Sequence, residues 1–100
     1  MLEYNISMEE EYEWDETKRV SNIEKHEIDF ADAEDFDWDT AAHDRVRRGE
    51  EIRFVATGYI RGRLHIAVYT MRGDLKRIIS LRKANPRERR RYEQSHQRRP

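Results

Sequence analysis

The chain has no cysteine, and only four glycines and two prolines among its 100 residues. Without cysteine there is no disulfide framework, no thiolate catalysis and no zinc–thiolate site, which fits a reducing compartment. No apolar run approaches the length of about 18 residues that a membrane span needs, and the N-terminus lacks the basic start and apolar stretch of a signal peptide. We therefore expect a cytoplasmic protein without a membrane anchor.

Apolar residues are also scarce. They make up 36% of the chain against 41% charged residues, so we expect one domain with a modest core, to which a partner could add stability. The aromatic content of 10% argues against a wholly disordered chain. We predict a single domain over residues 12–95, preceded by an acidic, weakly ordered extension over 1–11 and followed by a frayed tail over 96–100.

The two halves of the chain differ strongly in charge. Residues 1–44 contain 16 acidic and three basic residues, whereas residues 45–100 contain 17 basic and five acidic residues. The basic half has the charge expected of a surface that neutralises phosphates. Alternatively, the two halves neutralise each other across the fold, and the two interpretations are compatible.

Capping signals predict three helices. Asp15 is a suitable N-cap for a helix that ends near His26, and Asp29 is a suitable N-cap for a short helix that ends near Phe36. Residues 85–88, Asn-Pro-Arg-Glu, combine an N-cap, a proline at the first helical position and a capping-box glutamate. They predict a third helix that extends past residue 91.

Alternating runs separated by turn signals predict strands. Arg61-Gly62 and Arg72-Gly73-Asp74 are typical of tight turns between antiparallel strands. The predicted meander has strands over residues 51–60, 63–71 and 75–82; a short strand over 12–14 can join it, and 37–49 is expected to be a polar loop. The fold class is therefore α+β, a small antiparallel sheet with helices packed on one face.

The middle predicted strand divides the sheet into two faces. Its aliphatic residues Leu64, Ile66 and Val68 alternate on one side, which is expected to pack against the helices. The other side is expected to be open to solvent, with basic, aromatic and hydroxyl side chains. These side chains are Arg63, His65 and Tyr69 from the middle strand and Ser80 and Arg82 from the last strand.

Such an open face has the groups that RNA cleavage without a metal ion requires. One group must take the proton of the 2′-hydroxyl, another must stabilise the charge of the phosphorane, and a third must protonate the leaving 5′-oxygen. Arginine suits the second role because its planar guanidinium keeps its charge. The sequence has no dense cluster of metal ligands and no glycine-rich phosphate loop, so neither a metal nor another cofactor is predicted.

Each candidate also has a structural explanation. His65 is compatible with a packing or surface role, and His26 with a favourable interaction with the negative end of the helix dipole. Tyr69 fits the rim of the core, and Arg82 fits an ion pair with the acidic half. The basic run over 87–91 is also compatible with a solvated helix face.

Several linked motifs resemble those of the BrnT family of bacterial ribonuclease toxins. The resemblance covers about residues 12–93. Glu27 departs from the pattern, because family members commonly have glycine there; in a left-handed helix end, glutamate costs about 1 kcal/mol relative to glycine, or else the turn differs. The matching motifs are Tyr12-Glu13-Trp14-Asp15-Glu16-Thr17-Lys18, Asn22, Glu24-Lys25-His26, Ile28-Asp29-Phe30, Arg53-Phe54-Val55-Ala56, Val68-Tyr69-Thr70, Arg77-Ile78-Ile79-Ser80, Arg82-Lys83-Ala84-Asn85, Arg87-Glu88-Arg89 and Tyr92.

The resemblance implies a fold similar to RelE-type ribonuclease toxins, cleavage of RNA and growth arrest. It also implies a cognate BrnA-like antitoxin of the ribbon-helix-helix type, through which alone the pair would contact operator DNA. Strand alternation places Arg77 on the packed side unless a bulge rotates it. The catalytic candidates are His26, Tyr69, Arg77, Ser80 and Arg82. Together with the open face, the resemblance gives as RNA-binding candidates Lys18, Lys25, Arg63, His65, Lys83 and Arg87.

We thus predict a metal-independent endoribonuclease that an antitoxin inhibits by covering the basic face. One alternative is a non-enzymatic nucleic-acid-binding module, which would bind RNA without cleaving it. Another is a degenerate toxin retained for its interactions.

Overall fold

The computed structural model describes residues 11–97. The expected extension over 1–11, apart from Glu11, and residues 98–100 of the expected tail lie outside the described residues. His96 and Gln97, which were expected to fray, belong to the last helix. The elements in chain order are β1 (Tyr12–Trp14), α1 (Glu16–His26), a 3-10 helix (Phe30–Asp35), β2 (Ala42–Arg48), β3 (Glu51–Ile60), β4 (Arg63–Arg72), β5 (Leu75–Lys83) and α2 (Pro86–Gln97).

The strands form one five-stranded sheet in the order β1-β5-β4-β3-β2. β1 is parallel to β5, and all other neighbours are antiparallel. The α+β class and the β3-β4-β5 meander are confirmed, but the sheet is mixed and has more strands than predicted. No helix formed by the described residues is long and apolar enough to cross a membrane.

β2 lies within the segment that the sequence predicts as a loop. Every residue of β2 after Ala42 is exposed, so the strand has no buried face and its sequence lacks the usual apolar–polar alternation. The turn after it contains Gly49 with a positive φ of 64°, a conformation that glycine adopts without steric cost. β2 is held in place by antiparallel pairing with β3 along its whole length.

One face of the sheet, called the front face, packs beneath the 3-10 helix. Phe30, Ala33 and Phe36 are buried there, as the second predicted helix requires. Phe36 lies directly on the backbone of Gly58, where an added Cβ would be 2.8 Å from the Phe36 ring, so this contact depends on glycine. The sheet residues of this core are Ala56, Ile60, Ala67, Tyr69, Ile78 and Leu81.

The opposite face, called the back face, packs against α2. Leu64 and Ile66 form a second buried cluster with Ala84 and Tyr92. Leu64 and Ile66 therefore do pack against a helix, but it is the C-terminal helix rather than the two N-terminal ones. Helices cover both faces, and the prediction that they pack on one face only is wrong.

The predicted helix caps are confirmed. Asp15 accepts hydrogen bonds from two amides of the first turn of α1, at 2.8 and 3.2 Å. The amide of Asn85 donates to the Glu88 carboxylate at 2.9 Å, and the amide of Glu88 donates to the Asn85 side chain at 2.8 Å. This reciprocal pair is the capping box that the sequence predicts at the start of α2.

Candidate functional site

α1 turns a polar face toward β5. The residues of that face are spaced by three and four positions, which brings them to one side of a helix. Together with the middle of β5 they enclose a pocket of about 210 Å³, called the α1–β5 pocket. Its lining residues are Lys18, Ser21, Asn22, Lys25, His26, Ile79 and Ser80. The structure thus brings together four of the sequence-predicted site residues, Lys18, Lys25, His26 and Ser80.

Asn22 fixes the position of α1 against β5. Its Nδ2 donates to the carbonyl oxygens of Leu81 at 2.7 Å and Ile28 at 3.1 Å, and the Leu81 amide donates to its Oδ1 at 3.3 Å. β1 pairs with β5 only over residues 76–78, so Asn22 satisfies the backbone of β5 beyond the end of β1. Val20 of α1 is 43% exposed, so it adds little apolar burial to this attachment.

A β-bulge shapes the β5 side of the pocket. Val68 pairs with Ser80 and Tyr69 pairs with Ile78, which leaves Ile79 as an extra residue on β5. A bulge of this kind bends its strand and redirects the neighbouring side chains. Ser80 therefore lies on the back face beside Val68, and the prediction that it shares a face with Tyr69 is wrong.

The pocket has positive charge that no neighbouring acid neutralises. Lys18 and Lys25 are exposed and His26 is half-buried. Between residues 11 and 97, none of these three side chains forms an ion pair. Two ammonium groups can bind phosphate oxygens, and an imidazole can give or take a proton near neutral pH. The arrangement suits a phosphodiester.

The two predicted catalytic arginines are both paired with carboxylates on the back face. Nη1 of Arg77 lies 3.0 Å from Oε2 of Glu13, on the side that strand alternation predicts. Arg82 donates two hydrogen bonds to Glu88, at 2.9 and 2.8 Å, and this contact lowers the pKa of the Glu88 carboxyl to about 2. The bulge turns Arg82 to the back face as well, contrary to the predicted facing.

Tyr69 and His65 are buried, so the prediction that they lie on an open face is wrong. They are 6% and 4% exposed, respectively. Tyr69 stacks on Phe54 and is contacted edge-on by Trp38, each with 5.4 Å between ring centroids. Nδ1 of His65 donates to the carbonyl of Arg63 at 2.7 Å, and burial lowers the pKa of its imidazole. Burial of both side chains argues against direct contact with RNA.

Sequence reasoning overlooked part of the pocket. Ser21 and Ile79 are not among the sequence-predicted site residues, and Asn22, which helical spacing places on one face with Lys18 and Lys25, is not among them either. The polar spacing along α1 was a usable signal for Ser21 and Asn22, whereas nothing in the sequence marks the bulge at Ile79. Three predicted RNA-binding residues are exposed but lie outside the pocket lining: Arg63, Lys83 and Arg87.

A second cavity, of about 410 Å³, lies on the back face between α2 and the sheet. Val55 and Ile66 contribute apolar surface to it, and the paired Arg82 and Glu88 lie at its polar side. The Tyr92 hydroxyl donates to a backbone carbonyl at 2.9 Å, and burial raises its pKa. This cavity contains one predicted site residue, against four in the α1–β5 pocket.

Nowhere in the part of the chain that the structure describes do three His, Asp or Glu side chains come together as metal ligands.

Comparisons with known proteins give a family and a fold. The family model described as "Ribonuclease toxin, BrnT, of type II toxin-antitoxin system" matches residues 14–88, a range that includes every residue of the α1–β5 pocket. The structure is similar to the crystal structure of the Brucella abortus ribonuclease toxin, BrnT, with a TM-score of 0.63 and 30% sequence identity. That match covers 76% of this chain and 97% of the Brucella chain. No curated protein matches the sequence.

Proposed function

Because this chain belongs to the BrnT family of ribonuclease toxins of type II toxin–antitoxin systems, we propose that it cleaves RNA without a metal ion at the α1–β5 pocket. The observation that carries the proposal is the convergence of Lys18, Lys25 and His26 on Ser80. A phosphodiester bound there meets two cations, an imidazole and a hydroxyl within one cavity.

The chemistry follows from these groups. The 2′-hydroxyl attacks the adjacent phosphorus, the bond to the 5′-oxygen breaks, and the products are a cyclic 2′,3′-phosphate and a free 5′-hydroxyl. Lys18 and Lys25 stabilise the negative charge that accumulates on the phosphorane oxygens. His26 takes the proton of the attacking 2′-hydroxyl and then gives it to the leaving 5′-oxygen, and Ser80 donates a hydrogen bond to the phosphate. Arg77 and Arg82 are not needed for this step, because their guanidiniums are held by carboxylates.

The test is cleavage of RNA by the purified chain in the presence of EDTA. Wild type should produce fragments with 5′-hydroxyl ends. His26→Gln removes the imidazole while keeping a polar side chain, and we expect it to lower the rate by roughly 10²-fold to 10⁴-fold. His43→Gln is the matched control, since His43 is exposed on β2 and lies outside the pocket. Cleavage that appears only when a divalent cation is added, or an equal loss in both variants, would contradict the proposal.

A non-enzymatic RNA-binding module is the second candidate function. It is favoured by the pairing of both candidate arginines with Glu13 and Glu88, since paired guanidiniums are not available to a phosphorane. The same experiment separates the two functions. Binding of RNA without any product, together with normal growth of cells that express the chain, would support the binding module.

A type II toxin family implies a cognate antitoxin as partner. We propose that it is a BrnA-like ribbon-helix-helix protein that covers the α1–β5 pocket, and that it alone contacts operator DNA. Expression of the chain without its antitoxin should arrest growth and degrade RNA, and co-expression should restore both. An antitoxin that binds while the pocket stays open to RNA would contradict direct blocking.

The RelE-type fold and the cytoplasmic location remain predictions of the sequence.

A further inference from the structure

The outer part of the front face is only partly covered. Arg45 on β2 pairs with Phe54 on β3, which pairs with Tyr69 on β4, so the three lie in one row across the sheet. Tyr69 is buried beneath Trp38, but Phe54 is only half-buried and Arg45 is exposed. Met71, one step further along β4 on the same face, is 43% exposed.

The ring of Phe54 is half-buried. It stacks on Tyr69 with the two ring planes inclined by 25°, which fixes its orientation. The neighbour on its other side is Arg45, across the β2–β3 pairing. A ring and a guanidinium on neighbouring strands offer two planar groups to a base, and the space between these two side chains is called the slot.

Positive charge surrounds this slot. Arg45 and Arg47 occupy alternate positions of β2 on the front face, and neither forms an ion pair with any of residues 11–97. Nζ of Lys76 lies 4.7 Å from the ring centroid of Trp38 and 5.7 Å from that of Tyr69. Cations interleaved with aromatic rings on a sheet are the arrangement by which proteins hold single-stranded nucleic acid, with bases on the rings and phosphates on the cations.

We propose that the slot between Phe54 and Arg45 binds one unpaired base of the RNA substrate, with the adjoining phosphate on Arg47. The proposal rests on the proposed function for the identity of the ligand. It adds a substrate-binding site outside the α1–β5 pocket. The slot lies on the front face and Ser80 on the back face, so the two sites bind different parts of the RNA.

An acidic protein segment is a poorer fit than RNA. A carboxylate needs only the cations, whereas the stacked ring and the guanidinium beside it match the flat surface of a base. The aromatic ring of Phe54 therefore favours RNA over an acidic protein segment as the ligand.

The test measures binding apart from cleavage. The probe is a fluorescein-labelled single-stranded RNA in which every ribose has a 2′-O-methyl group, so that no 2′-hydroxyl can attack. Phe54→Leu removes the ring and keeps an apolar side chain; we expect the affinity of the full chain to fall by roughly 5-fold to 100-fold, the range of base–aromatic stacking. Phe54→Tyr keeps the ring and should bind within about 2-fold of wild type.

Arg48 provides a matched charge control. Arg48→Gln and Arg45→Gln remove the same charge from the same strand, but Arg48 lies on the back face. Only Arg45→Gln should weaken binding substantially. Equal losses in the two variants would overturn the proposal, and so would an unchanged affinity for Phe54→Leu.

Two further outcomes identify which idea has failed. If Phe54→Leu leaves RNA binding intact but weakens binding of the antitoxin, the surface is a protein interface and the proposal is wrong. If wild type binds the methylated probe through Phe54 yet leaves unmodified RNA uncut, the RNA-binding slot is supported and the proposed cleavage is contradicted. Thermal unfolding of Phe54→Leu and Arg45→Gln, the two variants expected to bind weakly, shows whether either has lost its fold as well.

Discussion

Glu27 ends α1 in a conformation that favours glycine. Its φ and ψ are 60° and 34°, and its amide donates to the carbonyl of Ile23 at 2.8 Å. A left-handed residue at this position satisfies a backbone carbonyl of the last turn. The helix therefore keeps the end that glycine would allow, with the steric strain of a Cβ. His26, the residue before it, keeps its place in the α1–β5 pocket.

Replacing Glu27 with glycine should stabilise the protein. Glu27→Gly removes the strain of the left-handed Cβ, and we expect the free energy of unfolding to rise by up to about 1 kcal/mol. Urea unfolding measures the change. Glu24→Gly is the control: Glu24 is exposed within α1, where glycine should instead lower the free energy of unfolding by about 1 kcal/mol. Destabilisation by both variants would show that the left-handed end is not strained.

At the scale of elements, one carboxylate joins α2 to the sheet. Glu88 completes the capping box of α2 and accepts two hydrogen bonds from Arg82 of β5. Tyr92 of α2 also packs against Leu64 and Ile66 of the back face in the second buried cluster. The helix that covers the second cavity therefore depends on an ion pair as well as on apolar contacts.

The stability of this attachment should depend on pH. The Arg82 contact lowers the pKa of Glu88 from 4.5 to about 2 in the folded state, so the unfolded chain binds the proton first as the pH falls. The contribution is complete above about pH 4.5 and is lost between there and about pH 2.

Glu88→Gln tests this contribution. Because about a quarter of the Glu88 side chain is exposed to solvent, we expect a loss of about 1 kcal/mol at neutral pH that disappears near pH 2. Urea unfolding at several pH values measures it. Glu93→Gln, at an exposed position of the same helix, should have little effect at any pH. A difference from wild type that stays constant with pH would contradict the role of the Glu88 charge.

The sequence predicts the elements that depend on neighbouring residues. It does not predict those that depend on contacts between distant parts of the chain. Caps at Asp15 and Asn85 and the turns of the meander depend on neighbouring residues, so the sequence indicates them correctly. β2 has no buried face, and only its pairing with β3 makes it a strand. The alternation of Leu64 and Ile66 shows that the sheet has two faces but not which helix covers which.

The same limit applies to the candidate site. Lys18, Lys25 and His26 are neighbours by helical spacing alone, and the structure keeps them together. The burial of Tyr69 could not be predicted, because it depends on the path of the chain over the front face. The bulge at Ile79 reverses the strand alternation and has no glycine or proline to mark it.

At the scale of the whole molecule, the acidic and basic halves partly neutralise each other. Arg61 pairs with Asp32 and Asp35 of the 3-10 helix, and Arg77 pairs with Glu13 of β1. The alternative interpretation of the charge split is therefore correct in part. The cations of the α1–β5 pocket come from the acidic half of the chain, so the charge of a sequence segment does not by itself locate the site.

The salt dependence of RNA binding should follow from these positions. Each phosphate bound by a cation on a single strand contributes about 0.7 to the slope of log affinity against log salt. Lys18→Gln/Lys25→Gln should therefore reduce that slope by about 1.4, measured with the methylated RNA probe over a range of salt concentrations. The control is Arg61→Gln/Arg72→Gln, which removes the same net charge from two arginines that already pair with acidic side chains. The slope of this double variant should remain that of wild type. If the two double variants lose equal slope, RNA responds to net charge alone, and the α1–β5 pocket is not where its phosphates bind.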